Sequence, residues 1–571
     1  MARTVAIGVQ SFEKIRERNY FYIDKTPFIK EWWERGDEVT LITRPRRFGK
    51  TLNISMLEQF FSVDYAGRSD LFEGLSIWEE EKYRTLQGTY PVISLSFANI
   101  KEKDFETSRL KICQLILNLY SKYHFLLQTE QFTKADKDFI ERVSIEMSDA
   151  DATLALYQLS NYLYQYYGKK VIILLDEYDT PMQEAYVNSY WEELVSFTRS
   201  LFNATFKTNP YLERGMMTGI TRVSKESIFS DLNHLQVVTT TSDKYATAFG
   251  FTEKEVFDAL EEQGLETEKA EVKRWYDGFI FGKQQDIYNP WSILNFLDKK
   301  EYEMYWANTS SNRLISKLIR EGNPRIKVTF EQLLQGKSIQ CPIEEQVVYS
   351  QMKDNESAVW SLLVASGYLK VLSYEKREQI RSGKRPKYEL AFTNFEVKCM
   401  FLSMVQDWFD EAEADYNDFI KALLCGNKKE MNIFMNRITI QMFSYFDTGK
   451  GPFGKEPERF YHGFVLGLLV ELEDKYVITS NRESGYGRYD IMLEPKDIKS
   501  SRYHAMILEF KVHDAEEQSL QDTVAAALAQ IEEKQYETAL IAKGIPKERI
   551  RKYAFAFEGK KVLIGEGGCV K

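Results

Sequence analysis

A multidomain α/β protein that opens on a doubly wound parallel sheet is predicted by three features of this sequence. At 571 residues the chain is too long for one hydrophobic core, because cores stop growing near about 250 to 300 residues and longer chains divide. From Glu38 to about Asp243, short β-branched runs alternate with amphipathic helical stretches, the pattern of a parallel sheet covered on both faces. After a glycine-rich break at Gly449–Gly454, strand signals return and continue to the C-terminus, which marks a second α/β domain.

Strands are expected at Val39–Thr43, Val92–Phe97, Val171–Leu175, Gly215–Ile220 and Gln236–Thr241. Phe105–Tyr123 and Leu154–Tyr167, apolar at three- and four-residue intervals, are the crossover helices of this domain, 1–250. Beyond Phe251 the pattern becomes mostly helical, with Thr252 as N-cap and Glu255 three residues later, and a helical lid is expected over 251–330. Ala358–Gly367 reads as a helix ending at glycine. It precedes strand-like Tyr368–Tyr374 and Tyr388–Phe392, which are joined by a basic Gly-Pro loop, so 331–410 is expected to be a winged-helix-like module. More helices over Asp407–Phe446 lead, within 411–571, to a terminal α/β core at 450–571.

Composition narrows the class. Hydrophobic residues at 44% and charged residues at 28%, with 13 prolines, are the proportions of an ordered globular chain. Five cysteines lie far apart without a CxxC pair, so neither a disulfide framework nor a zinc knuckle is expected and a cytoplasmic, reducing setting fits. The longest mostly apolar run, Gly463–Leu472, is about half a membrane span, and no membrane partner is expected. A net charge of −10 restricts contact with nucleic acid to patches. Lys376–Lys387 and Lys543–Lys552 are two such stretches, each also readable as a solvated surface.

Strand Val39–Thr43 runs into Arg44-Pro45-Arg46-Arg47-Phe48-Gly49-Lys50-Thr51 and then a helical pattern, the strand–loop–helix setting of a P-loop. Backbone N–H groups of the loop would surround a β-phosphate, Lys50 would reach the β and γ oxygens of ATP, and the Thr51 hydroxyl would hold Mg2+. The first glycine of the usual motif is Arg44 here, and three arginines make the loop unusually cationic. Val171–Leu175 ends in Asp176-Glu177. Asp176 would hold the metal through water, and Glu177 would orient the attacking water. Thr218 and Arg222, at the end of the next central strand, are candidate γ-phosphate sensors, with structural turn roles as the alternative.

Near the C-terminus, Tyr489–Leu493 carries Asp490 close to its start, and Ala505–Val512 carries Glu509 and Lys511. Side chains two apart on a strand share a face, and the 18 residues between Asp490 and Glu509 are enough for a hairpin that gathers all three. Such carboxylates could bind Mg2+, or Mn2+ in its place, while Lys511 positions water or offsets charge at a scissile phosphate. Upstream, Glu458 and His462 are four apart on a helix that begins at Pro457. Glu458 is a further candidate metal ligand, whereas His462 reads more readily as an ordinary surface residue. Gln530 and Lys534, four apart on a helix expected at Ala525–Tyr536, could face a phosphate backbone or form a plain solvated helix face.

With these motifs in order, the chain resembles the AAA-ATPase-like proteins found in many bacterial genomes. The residues that carry the resemblance are Ile7–Phe12, Tyr22–Thr26, Arg44–Thr51, Asp176–Asp179, Gly219–Ser224, Trp275–Phe279 and Tyr288–Trp291. The glycine-poor loop is usual in that family. Glu458–Gly463, Ser480–Gly485, Gly487–Asp490 and Glu509–Lys511 resemble the PD-(D/E)xK nuclease-superfamily domain often joined to it. The resemblance implies a P-loop NTPase fold followed by a restriction-endonuclease-like domain. The function expected is that of an ATPase coupled to a metal-dependent nuclease acting on nucleic acid, with DNA favoured over RNA. A scaffold switch whose nuclease-like fold only binds a partner is the competing expectation. A homo-oligomer is compatible with either, because such ATPases often borrow an arginine from a neighbouring subunit.

Overall fold

The computed structural model describes residues 3–567 except 223–228, 230–231, 233, 307–312, 321–323, 335, 344–354, 375–385, 411–412, 443–464, 466–468, 470–471, 473–474, 481–482, 485–486, 499–502, 514–516 and 560. It divides into two compact units, Met1–Leu314 with Ser338–Lys398, and Ile315–Lys337 with Cys399–Lys571. The glycine-rich break at 449–454, Glu458, His462 and most of the basic stretch 376–387 lie outside the described residues. Among the described residues no helix is long and apolar enough to cross a membrane.

The first unit is built on an all-parallel sheet of β1 (Val39–Thr43), β2 (Val92–Ser96), β3 (Val171–Asp176), β4 (Leu212–Gly219) and β5 (Leu235–Val238), in the order β2-β3-β4-β1-β5. Every residue of β1 and β3 is buried, which is why both read as unbroken apolar runs rather than alternating ones. The crossover helices Phe105–Lys122 and Asp149–Tyr167 fall where the periodicity predicts. The second begins five residues earlier than its apolar pattern, because Ser148 caps it by accepting from the Asp151 N–H at 3.1 Å. Register pairs Thr43 with Gly219 and Ser96 with Asp176. The carboxyl ends of the central strands therefore finish side by side, the position at which open α/β sheets receive ligands.

After the sheet, Thr252 and Glu255 form the expected capping box on helix Glu253–Glu262. The stretch that reads as helical also contains a small antiparallel sheet, order β6-β8-β7, of β6 (Phe251–Thr252), β7 (Phe279–Phe281) and β8 (Gln284–Tyr288). Strands of two to five residues are too short to show alternation. A core of Phe21, Val256, Tyr276, Ile293 and Phe296 packs this region. Further along, helix Glu356–Ala365 precedes the hairpin β10 (Leu369–Tyr374) and β11 (Lys387–Phe392), and β9 (Ile339–Pro342) pairs with β11 as a third strand.

The second unit packs helices Glu413–Cys425 and Lys428–Met442 with a mixed sheet, order β12-β15-β16-β17-β18. Its strands are β12 (Tyr476–Ser480), β15 (Ile491–Pro495), β16 (Ala505–Val512), β17 (Ile550–Glu558) and β18 (Lys561–Glu566), and a two-residue pair β13 (Glu483–Ser484) and β14 (Gly487–Arg488) lies between β12 and β15 in sequence. β16 and β17 run parallel and the other neighbours antiparallel. One core holds Phe419, Met435, Leu493, Leu508 and Phe555. Another sets Ile507 with Ile531, Tyr536 and Leu540, so alternate residues of β16 enter different cores.

Candidate functional site

The loop after β1 is held by its surroundings rather than by glycine. The Arg44 guanidinium is fully buried and donates to the carbonyls of Thr43 (3.0 Å), Thr239 (2.7 Å) and Lys244 (3.2 Å), with Phe281 4.5 Å beneath it. Burial lowers its pKa to about 9. Its side chain is thus committed to backbone carbonyls. Phe48 is likewise buried, edge-on to Phe279 and Phe281 at 4.7 and 5.3 Å. Arg46 reaches Gln183 Oε1 at 3.2 Å, and the half-buried Arg47 guanidinium lies 4.2 Å from the Trp291 ring. Gly49, at φ +80°, makes the left-handed turn that starts helix Lys50–Phe61.

Five predicted residues converge at the head of that helix. Lys50, 3% exposed, donates to the carbonyls of Arg44 (3.1 Å) and Pro45 (3.0 Å) and lies 3.4 Å from Glu177. The Thr51 hydroxyl donates to Asp176 Oδ2 at 2.7 Å, and the Thr218 hydroxyl donates to Asp176 Oδ1 at 2.5 Å. Thr218 also accepts the Glu177 N–H at 3.3 Å. Burial raises the Asp176 pKa, the adjacent Glu177 adds to that shift, and the two hydroxyls oppose it. Glu177 sits at φ +53°, a strained conformation for a residue with a Cβ. Arg222, half-buried, is the last described residue before 223–228.

One member of this site escapes sequence reasoning. Asp179, fully buried, accepts the backbone N–H groups of Ile220 (3.1 Å) and Thr221 (2.8 Å) and the Thr221 hydroxyl (2.8 Å), tying the turn after β3 to the end of β4. In the sequence it stands two residues beyond Glu177, inside the Asp176–Asp179 stretch that carries the resemblance, but without an assigned role.

In the second unit, register builds the site. β15 pairs with β16 so that Ile491 faces Leu508, and Asp490, the residue directly before β15, lies just beyond the last pair of that ladder. Asp490 Oδ2 accepts the Phe510 N–H at 2.8 Å. Glu509 is 3% exposed and its Oε1 accepts from Gln530 Nε2, which also lies 3.2 Å from the Tyr536 hydroxyl. Burial raises the Tyr536 pKa, with a smaller contribution from Glu509 and Asp490 nearby. Half-buried Lys511 shares the strand face of Glu509. The helix that carries Gln530 runs Leu520–Glu533 rather than to Tyr536. Lys534 therefore caps its end, 3.1 Å from Glu533, and only Gln530 of that pair meets the carboxylates.

A third acidic group joins Glu253 at the start of a helix, Asp277 at the end of another and Asp286 on β8 in the first unit. Lys273 pairs with Glu253 and lies 3.6 Å from Asp286. Burial, reinforced by a hydrogen bond with Asp286, pushes the Asp277 pKa up to about 7.

Residues 6–229 match the family model of a predicted AAA-ATPase, and residues 456–567 match that of the PD-(D/E)XK nuclease superfamily. Over 398 residues the chain is 26% identical to an uncharacterized protein in the vnfD 5' region of Azotobacter chroococcum mcd 1, covering 69% of this chain and 68% of that protein.

Proposed function

We propose that this chain, an AAA-ATPase-like protein with a C-terminal PD-(D/E)XK nuclease superfamily domain, binds and hydrolyses ATP in its first unit and cleaves nucleic-acid phosphodiesters, preferably of DNA, in its second. The observation that carries this reading is the convergence, from positions far apart in sequence, of Lys50, Thr51, Asp176, Glu177 and Thr218 at the carboxyl ends of adjacent parallel strands.

The donors suit a magnesium nucleotide. Thr51 and Asp176 offer neighbouring oxygens of the hard type magnesium prefers, with the Lys50 ammonium beside them. Thr51 and Asp176 would hold the ion, Lys50 would meet the phosphates, and Arg46, Arg47 and the backbone from Arg44 to Gly49 would line the loop. Glu177 orients the attacking water, and Thr218 keeps Asp176 in place. At the second centre Asp490 and Glu509 would hold magnesium or manganese, and Lys511 would position water. Glu458 is a further candidate ligand. A bound divalent ion would polarise the scissile phosphate and lower the pKa of that water.

Helix Glu356–Ala365 with β9, β10 and β11 supports a winged-helix-like reading of 331–410, in which the basic loop expected at 376–387 would contact duplex phosphates. Reversal of that loop's charges should then weaken DNA binding and flatten its salt dependence.

The test is incubation of the purified protein with labelled single- and double-stranded DNA and RNA, with magnesium or manganese, with and without ATP, beside Lys50→Ala and Asp490→Ala. Cleavage that disappears in Asp490→Ala and changes with ATP only when Lys50 is present is the expected result. Intact ATP hydrolysis with no substrate cut would replace this reading with a nucleotide-driven scaffold switch.

A further inference from the structure

The carbonyl of Arg46, in the middle of the loop, receives two hydrogen bonds from distant parts of the first unit. Asn289 Nδ2 donates to it at 3.3 Å and the Trp306 indole Nε1 donates at 3.0 Å. Both donors are themselves fixed. Asn289 Oδ1 caps helix Pro290–Lys299 by accepting from the N–H groups of Trp291 (2.8 Å) and Ser292 (3.3 Å). The Trp306 backbone N–H donates to Glu396 Oε1 at 2.6 Å, and the Ser292 hydroxyl donates to Glu396 Oε2 at 2.9 Å. Asn289, Ser292, Trp306 and Glu396 are all buried to within 1%. Glu396 belongs to helix Phe395–Asp410, directly after β11. The chain just before β10 also approaches the loop, at Gly367 (φ +85°), where a Cβ would stand 2.7 Å from the Pro45 ring.

This network determines how the loop faces a ligand. The carbonyl and N–H of a trans peptide point in opposite directions. The carbonyls of Arg44 and Pro45 turn to the buried Lys50 ammonium, whereas that of Arg46 turns to Asn289 and Trp306. With the Arg46 carbonyl held on that side by Asn289 and Trp306, the Arg47 N–H of the same peptide faces the other way. In the standard motif an initial glycine gives the backbone this freedom, and here that position is Arg44.

We propose that Asn289, Trp306 and Glu396 are positioning residues of the nucleotide site, a brace that orients the Arg46–Arg47 peptide for phosphate and makes nucleotide affinity depend on the segment following β11. This rests on the ATP-binding reading above. The brace never touches the nucleotide; it acts through one peptide plane.

The test is the Kd of the full-length protein for labelled Mg–ATP by equilibrium dialysis, alongside the melting temperature without nucleotide, for wild type, Lys50→Ala, Trp306→Phe, Asn289→Ser, Glu396→Ala and Glu396→Gln. Trp306→Phe keeps the aromatic ring and the backbone N–H to Glu396 and loses only the indole donor. Asn289→Ser keeps a helix cap and loses the amide donor. Each should weaken Mg–ATP binding by about five- to fifty-fold, the scale of one lost buried hydrogen-bond partner, with the nucleotide-free protein still folded. Glu396→Ala should do the same and Glu396→Gln should recover most of the affinity, because the Ser292 hydroxyl can turn to meet the amide. Should Trp306→Phe fail to fold, Asn289→Ser decides. Wild-type affinity in both, with Lys50→Ala still defective, overturns the brace and leaves the ATP site standing. Absence of Mg–ATP binding in wild type overturns both.

Discussion

The two candidate centres of this molecule are assembled by different means. In the second unit, Glu509 and Lys511 stand on β16 and Asp490 directly precedes its neighbour β15, so the register of one ladder brings them together. In the first, Lys50 and Thr51 stand at the start of a helix, Asp176 and Glu177 at the end of a strand, and the peptides between β1 and that helix are oriented by hydrogen bonds from residues hundreds of positions away. A strand site inherits its geometry from the ladder, which repeats every two residues. A loop site has no repeat to inherit, so it depends on what surrounds it. The first centre should therefore be the more sensitive to substitutions that never touch its ligand.

Four outcomes would sharpen or break this contrast. The largest effect is expected from Asp490→Ala, which removes the carboxylate that stands at the end of the β15–β16 ladder beside Phe510. Cleavage measured with labelled DNA should fall by at least about a hundred-fold, as when a transition-state charge partner is removed, and residual activity near wild type would mean that the register does not build the centre.

Next, Gln530→Leu should lower cleavage by about ten-fold and raise the metal concentration required, because the amide holds a carboxylate that would ligate the ion. An unchanged metal requirement would show that the ladder alone orients Glu509.

A smaller effect separates the centres by pH. Metal binding at Asp176 would require the ionised carboxylate, and its pKa is raised by burial. Mg–ATP affinity should thus fall as pH drops through a value above the ordinary carboxylate range of about 4. The sign for folding is the reverse. A raised folded pKa stabilises the metal-free protein below the unfolded pKa, and that contribution is lost as pH rises through the folded one. Asp176→Asn should then melt higher than wild type near neutral pH while losing Mg–ATP. A pH-independent wild-type affinity down to about pH 4 would contradict the burial argument.

The smallest effect concerns Asp277, whose pairing with Asp286 belongs to neither centre. Its folded pKa of about 7, against about 4 when unfolded, stabilises fully below about 4 and is lost as pH rises through about 7. Asp277→Asn should melt a few degrees above wild type at pH 8, on the order of 1 kcal/mol, and level with it at pH 4. Equal melting temperatures at pH 8 would remove the proton-sharing pair.

The sequence by itself determined the elements with strong periodicity and the residues that lie on them. β1 appears with the bounds its apolar run predicts, the Thr252–Glu255 capping box forms, and β16 spans Ala505–Val512 with Glu509 and Lys511 two apart. Lys50, Thr51, Asp176 and Glu177 could be singled out because each follows a buried strand at a fixed offset, and local chemistry writes such offsets into the chain. What only the tertiary structure decided lies in contacts without period. It committed the Arg44 side chain to the carbonyls of Thr43, Thr239 and Lys244, gave Asp179 to the end of β4, selected Gln530 over Lys534 by ending a helix at Glu533, and set Asn289 and Trp306 on the Arg46 carbonyl. Backbone carbonyls carry no residue identity, so a hydrogen bond to one leaves no trace in the composition or spacing of its acceptor. Such bonds become legible only when the chain has folded and brought the donor to it.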